Sequence, residues 1–216
     1  MEPVVRRAGA HALLVELADP AADPAADAAT DAAADPAAWH AELCRRREAG
    51  ELTAVDIVPA ARTVLLDGVP DPAAVAAQIP GWAPRSGSGA VAARLVEIPV
   101  EYGGPDLPTV AAHWGVTESD VVRRLRSTEL RVAFCGFAPG FAYLTGLPPE
   151  CAVPRLATPR PRVPAGSVGL AARYAAIYPG ASPGGWLLVG RTEVRLFDVD
   201  ADPPALLTPG TRVRLT

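Results

Sequence analysis

The stretch Val132–Arg191 constrains this chain more than any other: VAFCGFAPGFAYLTGLPPECAVPRLATPRPRVPAGSVGLAARYAAIYPGASPGGWLLVGR. Glycine and proline recur so densely that no helix of ordinary length fits within it. Short apolar runs nevertheless stand between the breakers: Val132–Phe134, Phe141–Leu144, Val168–Leu170 and Trp186–Val189. Disordered Gly/Pro segments lack such aromatic and β-branched anchors. The pattern predicts short strands joined by tight turns, with glycine where the backbone needs positive φ or a close approach.

Around this block, 216 residues allow one large domain or two small ones with a real core. The formal net charge of -4 argues against a nucleic-acid phosphate backbone as partner. All 20 basic residues are arginine, which excludes a Schiff-base lysine or a P-loop lysine. Cys44, Cys135 and Cys151 are odd in number and widely spaced, so neither a disulfide framework nor a zinc site is expected. A reducing cytoplasm is the expected compartment. The segment Arg6-Arg7 followed by AGAHALLVELA imitates a signal peptide, but His11 and Glu16 interrupt its apolar run. No run approaches a membrane span.

In chain order, Ala12–Leu17 reads as a strand, followed by an Ala/Asp/Pro low-complexity insertion at about 18–38. A helix is predicted from about Ala37 to Ala49, strands at Thr53–Val58 and Arg62–Leu66, and a short helix from Asp71-Pro72 through Gln78. This order suggests a small ferredoxin-like α/β domain over residues 1–79. Residues 80–92, opening with PGWAPRSGSG, read as a linker. From 93 to 216 a second domain is expected, with strands at Arg94–Val100, Glu193–Val199 and Arg212–Leu215 besides those of the central block. Glu101–Leu107 reads as a turn. Helices at Thr109–Trp114 and Glu118–Leu125 imitate a helix-turn-helix, but Glu118 and Asp120 stand where bases would be read. Packing helices with a solvated basic face are the better reading. The fold class expected is α+β, mostly β, with a closed or nearly closed C-terminal barrel.

His11, His40 and His113 all lie outside the central block, none at ligand spacing with Cys or Asp, so no metal site is expected. A G-x-S-x-G elbow is absent, and Glu150, Glu193 and Asp198 are read as solvated. No catalytic residue is assigned. The block offers anion recognition instead. Arg155, Arg160 and Arg162 each follow a proline, which restricts where their guanidinium forks can go. Gly136, Gly140, Gly166, Gly184 and Gly185 let backbone N–H groups approach a ligand, and Ser167 and Ser182 add hydroxyls. Phe137, Phe141, Tyr143, Tyr178 and Trp186 could wall a pocket, though aromatics and glycines also serve cores and barrel corners. Pro139, Pro164, Pro179, Pro183 and Arg191 complete the candidate substrate- or anion-binding set.

The phrases GFAPGFAYLTGL (Gly136–Leu147), PRPRVPAGSVGL (Pro159–Leu170), IYPGASPGGWLLVGRT (Ile177–Thr192) and LFD (Leu196–Asp198) resemble the family called allophanate hydrolase subunit 1. It is also known as KipI-like, as the B subunit of 5-oxoprolinase, and as carboxyltransferase-domain subdomains C and D. ALLVEL, the Glu101–Gly104 turn and PPALLTPGTRVRL fit it too. The resemblance implies a cyclophilin-like β-barrel after a small α/β domain. It implies two partners: the C subunit, a homologue of allophanate hydrolase subunit 2, and a lactam-binding A subunit. Together they open 5-oxoproline to glutamate at the expense of ATP. ATP, with Mg2+, would be held here or by a partner, and the chain alone would be inactive. One branch of the family inhibits a sporulation histidine kinase, and related sequences belong to urea carboxylase and allophanate hydrolase systems.

Two departures stand out. Where the family has a Gly-Gln-Thr-Gly-like run before Ile-Tyr-Pro, this chain has Arg173-Tyr174-Ala175-Ala176. Where it usually carries a histidine before paired small hydroxyl residues, this chain has Arg126-Ser127-Thr128. Both change shape and hydrogen bonding, so a binding or regulatory relative is the alternative to an enzyme subunit.

Overall fold

A computed structural model of the chain describes residues 3–17, 35–84 and 94–216. Contacts divide the chain into two compact units, Met1–Ala92 and Ala93–Thr216.

The first unit contains β1 (Val4–Arg7), β2 (Leu13–Glu16), α1 (Pro36–Glu48), β3 (Asp56–Pro59), β4 (Thr63–Asp67) and α2 (Pro72–Gln78). Both helices begin at Asp-Pro steps, as the sequence suggested for Asp71-Pro72; α1 begins one residue before the expected Ala37, with Asp35 as its cap. The Asp35 carboxylate accepts from the Ala37 N–H at 2.9 Å and Asp71 from the Ala74 N–H at 3.0 Å, each followed by proline in the first turn. The sheet order is β1-β2-β4-β3, antiparallel throughout, so β4 lies between the two strands that α1 connects. Period-two alternation turns Leu13, Val15, Ile57, Val64 and Leu66 onto Trp39, Leu43 and Ile79. Strand β1 was not anticipated, and it supplies the edge beside β2. The expected insertion falls mostly in 18–34, outside the described residues, and its last residues already belong to α1. The expected linker also starts late. Ile79–Gly81 is a 3-10 helix, and Trp82 packs on this core beneath Arg46, 4.3 Å from its ring centre. The rest of that linker, from residue 85, lies outside the described residues.

The second unit runs β5 (Leu95–Ile98), β6 (Glu101–Tyr102), α3 (Leu107–Trp114), α4 (Glu118–Ser127), β7 (Leu130–Cys135), β8 (Ala142–Thr145), β9 (Arg160–Val163), β10 (Ser167–Ala171), β11 (Tyr174–Ile177), β12 (Ser182–Gly184), β13 (Leu187–Arg191) and β14 (Arg212–Leu215). Eight strands form one sheet in the order β5-β14-β7-β8-β11-β10-β13-β6, while β9 and β12 pair as a separate ribbon. Its two edge strands, β5 and β6, are separated in sequence only by Pro99 and Val100. The sheet must therefore curl until its edges nearly meet, which makes it a half-barrel. Glu101–Tyr102 is not a turn, as expected, but a short strand on β13. Glu193–Val199 is not a strand. Its backbone closes locally instead, with the Asp198 N–H on the Pro204 carbonyl and the Leu206 N–H on the Leu196 carbonyl.

Helix α3 ends at Gly115 with φ 63°, and Thr117 caps α4 in a reciprocal capping box with Asp120. Val110, Ala111, Val121 and Leu125 of these helices are buried with Val132, Leu144, Val168, Leu170, Ile177 and Val189 of the sheet. Alternate residues of the same strands face the other way: Tyr143 of β8, Ala171 of β10, Tyr174 and Ala176 of β11, and Leu188 of β13. That second face carries the candidate site.

Tyr102 illustrates a polar group caught at the curled edge. Its hydroxyl is buried without a hydrogen-bond partner among the described residues, and Arg126 lies 5.2 Å from its ring centre. Burial pushes its pKa up to about 12, with Arg126 pulling weakly the other way. An unfolded tyrosine ionises at about 10, so the unfolded state releases this proton first and stability falls as pH rises from there toward 12. Tyr102→Phe is expected to flatten that alkaline loss without destabilising the protein at neutral pH, since it removes an orphaned hydroxyl. Urea titrations at neutral and alkaline pH check this; an unchanged alkaline slope would refute it.

Candidate functional site

The site is built on the loop from Gly136 to Phe141, between β7 and β8. Three short-range bonds close it: Gly136 N–H to the Phe141 carbonyl (3.1 Å), Ala138 N–H to Gly136 (2.8 Å) and Phe141 N–H to Ala138 (2.9 Å). Closure this tight forces φ to 80° at Gly140, where a Cβ would meet the Cβ of Phe197 at 2.8 Å. It also forces Phe137 to φ 70°, a left-handed conformation that a bulky residue adopts only under constraint. Phe137 is 63% exposed.

Behind Phe137 the rings form a continuous floor. Phe141 is the hub, edge-on to Phe137 (5.1 Å between centres), Tyr143 (5.1 Å), Tyr178 (5.3 Å) and Trp186 (5.7 Å). Tyr143 stacks on Phe134 at 4.3 Å, and Tyr174 meets both rings edge-on at 5.7 Å. Such pairs contribute about 0.5–1.5 kcal/mol each beyond the area they bury. Val163 of the β9–β12 ribbon is buried in the same cluster. Gly184, also on the ribbon, has no room for a side chain, because a Cβ would collide with the Tyr178 hydroxyl. Burial raises the pKa of Tyr143 and Tyr178, so both remain protonated phenols.

The cations are distributed differently from the sequence expectation. Arg160 is not a free anion fork. Its Nη2 donates to Asp106 Oδ1 at 2.7 Å, and its Nη1 lies 3.4 Å from the Trp186 carbonyl. Asp106 is buried, and its other oxygen accepts the Leu188 N–H at 2.6 Å. One carboxylate thus ties the start of α3 to β13 and to the ribbon. Arg191 is paired with Glu193 at 2.8 Å on the exposed end of β13. Arg162 is exposed and makes no ion pair among the described residues, and Arg155 lies 6.0 Å from the Trp186 ring centre.

Of the residues expected from sequence, Phe137, Phe141, Tyr143, Tyr178, Trp186 and Gly184 come together with the loop of Gly136, Pro139 and Gly140. Two expected backbone donors are spent elsewhere. The Gly136 N–H closes its own loop, and the Gly166 N–H donates to the Tyr178 carbonyl at 2.8 Å. Ser167 is buried, and its N–H turns to the Pro164 carbonyl. The Gly185 carbonyl takes the Leu156 N–H at 2.8 Å. The Ser182 hydroxyl is buried without a partner among the described residues. Pro164 is exposed and Pro179 half-buried in connecting turns, and Pro183 is exposed in the middle of β12. Among the described residues, no group of three His, Cys, Asp or Glu side chains is placed to hold a metal ion, and no helix is long and apolar enough to cross a membrane.

Sequence reasoning missed Asp106 and left Phe134 and Tyr174 out of the site. Tyr174, Ala176 and Tyr178 at i, i+2 and i+4 carried the signal for a shared strand face. Asp106 gave none, since a PDL turn reads as an ordinary helix cap.

Comparison with known proteins places this geometry. The B subunit of 5-oxoprolinase from Escherichia coli O157:H7 is 52% identical over 124 residues, 56% of this chain and 57% of that protein. The protein of the same name from Bacillus subtilis is 44% identical, over 56% of this chain and 52% of that one. The chain is thus matched over about half the length of these curated relatives. The crystal structure of TTHA0988 superposes with a TM-score of 0.72 at 31% identity, covering 99% of this chain and 40% of that one. The urea amidolyase of Kluyveromyces lactis shares the fold at 20% identity, with a TM-score of 0.69 over 99% of this chain and 15% of that one. The family described as carboxyltransferase domain, subdomain C and D, matches residues 3–207. The chain belongs to that family.

Proposed function

We propose that this chain is one component of an ATP-dependent 5-oxoprolinase, in which 5-oxo-L-proline, ATP and water give L-glutamate, ADP and phosphate. It would act with the C subunit, a homologue of allophanate hydrolase subunit 2, and with a lactam-binding A subunit. The observation that carries the reading is the aromatic floor with the strained, exposed Phe137 at its lip. Exposed rings over a packed aromatic base, rimmed by arginine, have the composition of an interface hot spot. The names of the relatives support the assignment to a multi-subunit system. A cyclophilin-like barrel for the second unit, a ferredoxin-like relative for the first, and a cytoplasmic home belong to the same proposal.

A lactam resists water because its amide is resonance-stabilised, and phosphorylation of the carbonyl oxygen would make it an electrophile. That route calls for donors aimed at developing negative charge and for cations on carboxylate or phosphate. In this chain the phenols of Tyr143 and Tyr178 could donate, and Arg155, beside the Trp186 ring, could supply charge at the rim. A second reading, a regulator that binds another protein such as a kinase, draws on Tyr174. Its ring fills the floor where the family pattern carries an amide, making the face more apolar.

Phe137→Gly separates a contact role from a folding role. Glycine relieves the strain at φ 70° but gives up the edge-on contacts with Phe141 and Tyr178, so the variant is expected to stay folded, within about 2 kcal/mol of the parent. Its affinity for the C-subunit homologue is expected to fall about a hundredfold, the loss of a strong hot spot. Titration calorimetry beside urea unfolding reads both. Unchanged affinity would remove Phe137 from the interface.

A further inference from the structure

Among the described residues, the helices of the first unit pack on one face of its sheet. On the other face the registers align one row across all four strands: Arg6 opposite Leu14, Leu14 opposite Leu65, and Leu65 opposite Val58. Three apolar side chains thus lie side by side, with Val58 38% exposed at the β3 edge. Charge is segregated along the row. Arg6, 61% exposed, stands at the β1 edge, where its Nε is bound to Glu16 at 2.8 Å. Near the opposite edge Asp56 directly faces Asp67. Like charges at directly opposed positions repel, so this corner is stabilised by an incoming cation.

We propose that this face is the contact surface for a second copy of the chain. A two-fold axis running along the strands, midway between two facing sheets, keeps strand direction and reverses strand order. It sets β1 over β3 and β2 over β4 of the second copy. The row then reads onto itself: Leu14 meets Leu65 of the second copy, Leu65 meets its Leu14, and Arg6 arrives over Val58. There Arg6 is about two residues, or ~7 Å, from Asp56 and Asp67, within reach of its own side chain. A closed two-fold contact demands such a self-complementary patch, and aligned sheet packing accommodates the geometry. The face is about 19 Å across four strands, well below a standard interface, so the dimer is weak and reversible.

Sedimentation velocity of the full chain, from low-micromolar to near-millimolar concentration, tests this. The parent is expected to show a reversible monomer–dimer equilibrium. Leu65→Glu is expected to weaken it by about tenfold or more, and Arg6→Glu likewise, since each removes a contact made twice by symmetry. Arg6 is exposed, so its variant keeps the test valid should Leu65→Glu fail to fold. Mixing Arg6→Glu with an Asp56→Arg/Asp67→Arg variant sets opposite charges at both symmetry-related contacts and is expected to recover dimer relative to either alone. Phe137→Gly is expected to leave the equilibrium unchanged, which separates this contact from the aromatic face. A chain that stays monomeric throughout, or a dimer indifferent to both Leu65→Glu and Arg6→Glu, would overturn the proposal.

Discussion

Phe141→Ala is expected to destabilise the second unit by about 3–5 kcal/mol, the range for removing a large aromatic from a packed site. Phe141 is 2% exposed and touches Phe137, Tyr143, Tyr178 and Trp186 ring to ring. Removing its ring forfeits buried area and four aromatic contacts together. The surroundings have little freedom to collapse into the space. The loop on one side is already closed by three backbone bonds, and Gly184 on the other is pressed against Tyr178. Urea unfolding followed by tryptophan fluorescence gives the loss, and near-UV circular dichroism reports whether Trp186 remains ordered. A loss below about 1 kcal/mol would mean that the ring cluster adds little to its surroundings.

Asp106→Ala is expected to cost a similar amount, about 3–5 kcal/mol, for a different reason. The substitution leaves the half-buried Arg160 without its carboxylate and the Leu188 N–H without its acceptor. Asp106→Asn keeps the shape and an oxygen for the Leu188 N–H, but turns its NH2 toward the Arg160 guanidinium, so the charge-assisted bond to Arg160 is lost, about 1.5–3 kcal/mol. The Asp106→Ala/Arg160→Met double variant is expected to be less destabilised than the sum of the two single changes, because the second removes the charge that the first strands. Strict additivity in that cycle would show that the pair does not act as a unit.

Much of this molecule was legible in the chain. The Asp71-Pro72 helix start, Gly115 and Thr117 between α3 and α4, and alternation in the short strands all follow from local chemistry, and the structure uses each as written. What the chain hid was non-local. Val4–Arg7 becomes a strand only because β2 offers it an edge. Glu193–Val199 alternates like a strand, yet it closes on its own loop instead. At the site, the aromatic partners were visible as a strand-face pattern. The fate of Arg160 was not, because its carboxylate comes from a turn 54 residues earlier. The strain at Phe137 was equally invisible, since nothing in a Gly-Phe-Ala-Pro-Gly run announces that Phe, not Gly, takes the left-handed conformation.

The most direct test of the proposed function is release of glutamate and ADP from 5-oxoproline and ATP. The chain is assayed alone, with its C-subunit homologue, and with both partners. Turnover only in the full mixture, lost with Phe137→Gly while that variant stays folded, is the predicted result. A complex that assembles from folded components and releases neither product would contradict the enzyme reading and favour the regulator.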